Sequence, residues 1–93
     1  MAVRTKTVTA ENQMSDPVKL SGYFNLSISG TWAGTVTVQR SFDLGDTWHD
    51  VDTFTSNTEE YGLEPEHSNV VYYRIGIKTG NYGSGSAVLR LSN

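Results

Sequence analysis

An eight-residue stretch at the middle of the chain, Ser41–Trp48, most constrains the fold. Its pattern is S-x-D-x-G-x-T-W. The Asp43 carboxylate can accept hydrogen bonds from nearby backbone N–H groups, and Gly45 can adopt the positive φ of a tight hairpin. The stretch therefore predicts a self-bonded turn between two strands. Its predicted structural residues are Ser41, Asp43, Gly45, Thr47 and Trp48.

Alternation of apolar and polar residues around this turn predicts strands and gives no helix signal. The alternation is clearest from Val18 to Ile28, which predicts one strand with a dry and a wet face, and with either a bend or a close crossing of the opposite sheet at Gly22. Further strands are predicted over residues 35–42, 47–54, 70–78 and 86–91, with a short edge strand within 56–63 and a loop over 64–69.

Three side chains of the strand over 47–54 are expected to face the core, namely Trp48, Val51 and Phe54. Their spacing breaks strict alternation, so a bulge is predicted near Asp50. Arg40 falls in the apolar row of the preceding strand. We expect it to bury its stem and to keep its charged head in water at the end of the sheet.

Two glycine-containing stretches, Ser29–Gly34 and Thr79–Gly85, are predicted to be hairpin loops. Each carries an aromatic residue that is a candidate partner contact, Trp32 in the first loop and Tyr82 in the second. Trp32 at a loop tip either folds down to close the end of the core or stays exposed as an anchor for a partner.

Residues 1–17 differ from the rest of the chain because their alternation uses Thr and charged residues. They are predicted to be an N-terminal arm or an edge strand, and residues 18–93 a single β-sandwich domain. An arm of this kind can lie along a neighbouring subunit or fray. Val3, Arg4 and Lys6 are therefore candidate partner contacts.

The charge pattern argues against nucleic-acid binding. The net charge is −3, and no Lys or Arg occurs between Ser41 and Tyr73. The eight acids of that window are Asp43, Asp46, Asp50, Asp52, Glu59, Glu60, Glu64 and Glu66. They predict a solvated acidic face or a surface that meets a basic partner. No stretch is apolar enough for a membrane helix, so no membrane partner is expected.

The sequence predicts no catalytic residues, no cofactor and no metal ligands. There is no cysteine and no nucleophile-elbow motif. His49 and His67 could bind a metal only if two loops met, and a solvated pair is the simpler interpretation. The acids of the central turn do not follow the EF-hand spacing, which leaves a weak calcium site there as an alternative.

The strand pattern as a whole predicts an antiparallel β-sandwich of about seven strands. The segment Val71–Ile77, the glycine-rich loop and Ser86–Leu89 resemble the last two strands of fibronectin type III and immunoglobulin-like sandwiches. This resemblance covers about a quarter of the chain. It implies a fold and carries no function.

The central motif resembles the Asp-box of sialidases and other β-propeller glycosidases at all five fixed positions of Ser41–Trp48. In those families the motif is a structural hairpin that repeats once per blade and lies far from the catalytic site. A single copy in 93 residues cannot build a propeller. The resemblance therefore implies a hairpin, and the chain is predicted not to be an enzyme.

Residues 18–93 as a whole resemble the small β-sandwich proteins of tailed-bacteriophage virions. The resemblance rests on the style of Leu20–Leu26, Gly34–Ser41 and Tyr72–Gly76. It implies a capsid decoration (cement) protein, or a small tail or fibre component, that assembles in the host cytoplasm. Such a protein would form a homo-oligomer, most simply a trimer, and clamp neighbouring capsid subunits through many weak contacts.

Two other function classes stay open. One is a carbohydrate-binding or host-adhesion module that uses exposed aromatic residues, with Trp32, Tyr61 and Tyr82 as candidates. Buried aromatic rings would remove the support for that function. The other is a bacterial fibronectin-like adhesion domain, which the lack of a secretion signal and of sister domains disfavours.

Overall fold

Nine β-strands form two antiparallel sheets in a computed structural model that describes residues 3–65 and 71–93, and these ranges contain no helix. The strands are β1 (Val3–Val8), β2 (Gln13–Met14), β3 (Val18–Lys19), β4 (Gly22–Gly34), β5 (Val36–Ser41), β6 (His49–Phe54), β7 (Thr58–Glu64), β8 (Tyr72–Ile77) and β9 (Tyr82–Ser92). The all-β prediction is confirmed. The strand count exceeds the predicted seven because the two-residue β2 leaves little trace in the alternation and β3 is part of the single strand predicted from Val18 to Ile28.

The strands pair in nested order around the central turn. Sheet A has the order β1-β9-β4-β7, and sheet B has the order β2-β8-β5-β6 with β3 also paired to β8. Thus β5 pairs with β6, β4 with β7, β2 and β3 with β8, and β1 with β9. The chain is one long antiparallel hairpin, with Phe42–Trp48 at its tip, rolled into two packed sheets. This is the jelly-roll arrangement.

The specific immunoglobulin or fibronectin topology is not confirmed. The predicted last two strands, now β8 and β9, lie in different sheets. β9 is inserted between β1 and β4, whereas β8 pairs with β5. Alternation specifies which face of a strand is buried, but it does not specify which strand becomes its neighbour.

The core lies between the two sheets and is lined by the apolar rows that alternation predicts. Ile28, Ile75, Ile77, Leu89 and Leu91 are among its fully buried side chains. Burying one side chain of this size is worth about 1.5–3 kcal/mol, so these rows fix the register of both sheets.

The predicted continuous strand from Val18 to Ile28 is divided in two. Val18 and Lys19 pair with β8 in sheet B, whereas the chain from Gly22 onwards belongs to sheet A. Gly22 has a φ of 69°, which confirms the predicted bend. The crossing between sheets preserves the alternation, because Leu20 beside the bend is buried, as are Val18 before it and Phe24 after it.

The two predicted loops are largely strand, because they pair with each other. β4 continues through Gly34, and β9 begins at Tyr82, so that Trp32 lies opposite Gly85 and Gly30 opposite Ala87. An added Cβ at Gly30 would lie 2.4 Å from the Ser86 carbonyl oxygen. The glycines that predict loops therefore serve the close approach of two backbones.

β6 confirms the predicted bulge and corrects one inward residue. The register shifts so that Val38 pairs with Asp52 and Gln39 with Asp50, which leaves Val51 unpaired between them. Val51 is half exposed rather than buried, because the bulge turns it to the sheet edge. Phe54 packs partly buried against the core, as predicted.

The described part of the predicted arm or edge strand, residues 3–17, contains β1 and β2. β1 pairs with β9 over its whole length, from Val3 opposite Ser92 to Val8 opposite Ala87. β2 then pairs with β8, and the Ser15 hydroxyl accepts a hydrogen bond from the Ile75 N–H at 3.0 Å. Residues 3–17 are therefore tied to both sheets.

Candidate functional site

Three large side chains stand exposed together on the outer surface of sheet A. Tyr23 is 70% exposed, Tyr61 74% and Leu63 53%. Tyr23 lies directly opposite Leu63 in the ladder, and the Tyr23 and Tyr61 ring centroids are 6.0 Å apart with their planes tilted by 58°. We call these three residues the tyrosine face. Exposed aromatic clusters of this kind mark binding surfaces.

A shallow groove of about 460 Å³ continues from Tyr61 across the same sheet. Asn25 and Ser27 of β4, Glu59 of β7 and Arg90 of β9 contribute polar groups to it. They meet because Ser27 lies opposite Glu59 on one side and Arg90 on the other. The groove thus offers donors and acceptors of both charges beside an aromatic ring.

A smaller cleft of about 170 Å³ opens between the edges β6 and β7. Phe24, Val51, Phe54 and Leu63 give it apolar walls, and its rim carries Asp52 and Glu60. The cleft therefore lies between Leu63 of the tyrosine face and two acids of the acidic window between Ser41 and Tyr73, Asp52 and Glu60.

The Ser41–Trp48 stretch forms the self-bonded turn that its pattern predicts. Asp43 Oδ1 accepts hydrogen bonds from the Thr47 N–H at 2.9 Å and the Ser41 hydroxyl at 2.7 Å, and Oδ2 accepts one from the Thr47 hydroxyl at 2.5 Å. The Ser41 hydroxyl oxygen accepts the Gly45 N–H at 2.8 Å. Leu44 and Gly45 take positive φ values of 63° and 85°.

These hydrogen bonds hold Asp43 in its ionised form. The bonds from the Thr47 hydroxyl and N–H, then that from Ser41, lower the pKa of Asp43 to about 2 from its ordinary 3.8. The carboxylate oxygens are thus directed at the turn itself. The described residues include no group of three or more acidic, His or Cys side chains that could hold a metal ion.

Trp48 does not enter the core, which corrects the prediction for this residue. The Arg74 guanidinium carbon lies 4.3 Å from the Trp48 ring centroid, and Arg74 points to the outside of sheet B. The ring also covers the turn, at 3.4 Å from where a Cβ on Gly45 would lie. Stacking on a cation gives Trp48 a half-buried site outside the sandwich.

One buried charged group was missed because the sequence pattern predicts loop from residue 64 onwards. Glu64 is the last residue of β7 and is completely buried. It accepts two hydrogen bonds from Arg40, at 2.6 and 3.0 Å, and one from the Tyr73 hydroxyl at 2.8 Å. The Arg40 head is therefore paired with a buried carboxylate, while a quarter of the Arg40 side chain stays exposed. The sequence signal for this buried carboxylate was Arg40, a cation in an apolar row that needs an anionic partner when it is buried.

Burial and the Glu64 carboxylate raise the pKa of Tyr73 to about 12, because both favour the neutral hydroxyl. The hydrogen bonds to Glu64 raise the pKa of Arg40. The three groups form a network that closes one end of the sandwich. The guanidinium and the phenol both donate to this one carboxylate, so the arrangement suits a structural role.

Trp32 and Tyr82, the two aromatic candidates for partner contacts, are half-buried and pack against the core. The Trp32 indole N–H donates to Asn57 Oδ1 at 2.8 Å, and the Tyr82 hydroxyl donates to the Gly85 carbonyl at 2.9 Å. Neither residue lies at a loop tip. The strongly exposed rings are instead Tyr23, which alternation places on the wet face of its strand, and Tyr61.

The N-terminal candidates lie on the edge strand β1. Arg4 is exposed and donates to the Val3 carbonyl at 2.9 Å, whereas Val3 and Lys6 are half-buried. The structure thus brings these three residues together on β1, at one edge of sheet A, whereas the tyrosine face lies on β4 and β7 towards the other edge. His49 stacks on Phe42, with ring centroids 5.0 Å apart, and His67 lies outside the described residues.

Comparison of the chain with protein-family models, with curated proteins and with solved structures gives no match. In the part of the chain that the structure describes, no helix has the length and apolarity to cross a membrane.

Proposed function

We propose that the chain is a non-enzymatic structural protein of a phage virion, a capsid decoration protein that stabilises the shell by lattice contacts. The observation that carries this proposal is the tyrosine face. Three large side chains that a monomer would bury are exposed side by side on one surface. If many copies bind one shell, each through its own tyrosine face, many weak contacts together stabilise the shell.

The fold is compatible with this function. Jelly rolls occur in viral capsid proteins and in lectins, so the fold supports a capsid role by analogy. Glu59, which lies in the outward row of β7 with Tyr61 and Leu63, favours a capsid surface that carries Lys or Arg around an apolar patch. Such a contact weakens as salt is added.

Co-sedimentation with capsids tests the proposal. Phage shells stripped of their decoration protein are mixed with the chain and pelleted at low and high salt. We expect the wild type to pellet with the shells and the double variant Tyr23→Ser/Tyr61→Ser to stay in solution. Phe42→Ser, which removes a half-exposed ring at the opposite sheet, serves as the matched control and should pellet. Equal pelleting of the wild type with and without shells would refute the proposal.

A second candidate function, carbohydrate binding, is favoured by a separate observation. Tyr61 stands at the end of the polar groove that Asn25, Glu59 and Arg90 help to line. An aromatic ring can stack on a pyranose while amide, carboxylate and guanidinium groups bond its hydroxyls.

Affinity electrophoresis through gels that contain defined polysaccharides tests this candidate. Retardation of the wild type, and its loss in Arg90→Ala with binding to shells retained, would assign the groove to sugar. Migration that no polysaccharide changes would exclude it. The two proposals are distinguished because Arg90→Ala leaves Tyr23 and Leu63 of the tyrosine face in place.

A further inference from the structure

The two sheets differ in how their edges end. Sheet B has one edge interrupted by the bulge at Val51 and another built from the two-residue strands β2 and β3. Bulges and very short strands protect an edge from pairing with another chain. Sheet A ends instead in β1 and β7, of six and seven residues, and neither ladder contains a register shift.

The two edges of sheet A carry opposite charges. β1 presents Arg4 and Lys6, whereas β7 presents Glu59 and Glu60. Pairing β1 with β1, or β7 with β7, would bring like charges together, which is unfavourable across strands. Pairing β1 of one molecule with β7 of another would bring opposite charges together. The charges thus disfavour a symmetric dimer and favour a head-to-tail contact.

We propose that β1 of one copy pairs with β7 of the next copy, so that sheet A continues from molecule to molecule. Strand directions permit this arrangement. Each neighbouring pair in β1-β9-β4-β7 is antiparallel, so β1 of a copy in the same orientation runs antiparallel to β7. Within the described residues, no other strand of the chain occupies the outer side of either edge.

One register matches both faces of the two strands. Lys6 shares the inward row of β1 with the buried Val8, and Glu60 shares the inward row of β7 with the buried Glu64. Setting Lys6 opposite Glu60 overlaps all six residues of β1 with β7. The remaining pairs are Val3 with Leu63, Arg4 with Gly62, Thr5 with Tyr61, Thr7 with Glu59 and Val8 with Thr58.

This contact gives a reason for the exposure of Leu63 and Tyr61 in the single molecule, because the next copy covers part of each. Val3 covers part of Leu63, and Thr5 covers an edge of Tyr61, while Tyr23 on the inner strand β4 stays open. A head-to-tail contact uses both edges of every copy and either closes a ring or grows a filament. The pairing does not depend on the proposed virion location, although a ring would suit a shell symmetry axis.

Sedimentation velocity on the full chain tests the pairing. We expect species whose masses are multiples of 10.2 kDa, in amounts that grow with protein concentration. Lys6→Glu and Glu60→Lys should each weaken self-association by at least about tenfold, because each places like charges opposite one another. Asp52→Lys makes the same charge change as Glu60→Lys on the protected edge of sheet B, and it should not alter the masses.

The double variant Lys6→Glu/Glu60→Lys separates a specific pairing from a change in net charge. It restores opposite charges with the signs exchanged and should recover the oligomer, with far-UV circular dichroism confirming the fold of every variant. A wild type that is monomeric at all concentrations, a folded double variant that stays monomeric, or single variants that associate like the wild type would each overturn the pairing. Shell binding by a monomeric chain would leave the decoration proposal standing.

Discussion

Asp43 is the residue on which the central turn depends. It accepts three hydrogen bonds within the turn, from Ser41 and Thr47. We predict that Asp43→Ala lowers the thermal unfolding midpoint, because the Thr47 N–H and hydroxyl lose their acceptor. Shell binding and self-association should be kept below that midpoint. A loss of either activity at unchanged stability would make the turn a functional site.

The same residue gives an acid dependence. Because the pKa of Asp43 falls from an ordinary 3.8 to about 2 on folding, its contribution to stability is complete above pH 4. The contribution is lost as the pH falls towards 2, where the folded carboxylate also gains a proton. Thermal unfolding at intervals across this window should show a smaller loss of stability for Asp43→Asn than for the wild type.

Glu64 contributes far more than an exposed ion pair does. Its carboxylate is completely buried and bonded to Arg40, whereas the Lys78–Asp50 pair is 39% and 44% exposed. We predict that Glu64→Gln lowers the free energy of unfolding by about 3 kcal/mol, because Arg40 loses its buried partner. Lys78→Met, the matched control, should cost less than about 1 kcal/mol. Urea unfolding measures both, and equal losses would contradict the assignment.

Tyr73 adds an alkaline limit. Burial and Glu64 raise its pKa from 10.0 to about 12, so its contribution to stability is complete below pH 10 and is lost as the pH rises through about 12. We predict that Tyr73→Phe is less stable than the wild type at neutral pH but loses less of its stability over that alkaline range. A parallel decline of the two proteins would show that Tyr73 ionises with its ordinary pKa.

Among the elements, the long β4–β9 pair depends on glycines that permit a close backbone approach. Gly85 has a φ of 87°, and an added Cβ would lie 2.2 Å from the Thr31 carbonyl oxygen. Gly80 has a φ of 85° with no atom within 4 Å. We predict that Gly80→Ala costs about 1–2 kcal/mol from backbone conformation alone. Gly85→Ala should cost a further 1–3 kcal/mol or so because the strands must separate.

Chemical denaturation of the two alanine variants measures this difference directly. Each substitution adds the same methyl group at nearly the same φ, so the comparison isolates the cross-strand contact. Equal losses would mean that β9 is not held against β4 at this point. They would favour the two loops that the sequence predicts over the extended strand pairing.

Local pattern predicted most strands and the turn, but not their partners. Period-two alternation identified the core-facing rows of β4, β5, β8 and β9, but not the burial of Thr37 and Ser41 on the other face of β5. The glycines of β9 suggested a loop because glycine serves turns and close strand approach alike. Alternation predicts that Tyr23 is exposed, but it does not predict the tyrosine face. Tyr23 and Tyr61 become neighbours through the β4–β7 pairing, which no local pattern encodes.

At the scale of the whole molecule, the nested hairpin makes every pairing depend on those inside it. Among the paired strands of residues 3–65 and 71–93, only β5 and β6 join across a short turn. β1 meets β9 across almost the entire chain, with Val3 opposite Ser92. Each outer pairing closes a longer loop, which costs more chain entropy and slows folding. The inner hairpin by itself has only one of the two sheets that enclose the core, so we expect it not to persist alone.

We therefore predict a single cooperative unfolding transition, and the two tryptophans can test it. Trp48 covers the tip of the hairpin, whereas Trp32 packs against the core in the β4–β9 pair. Trp32→Phe leaves a probe of the tip, and Trp48→Phe leaves a probe of the sandwich. In each variant, fluorescence and far-UV circular dichroism should give the same urea midpoint and slope, because no part of a rolled hairpin buries a core independently. A tip that stays ordered in Trp32→Phe after the circular dichroism signal is lost would show that the hairpin around Asp43 is a separate folding unit.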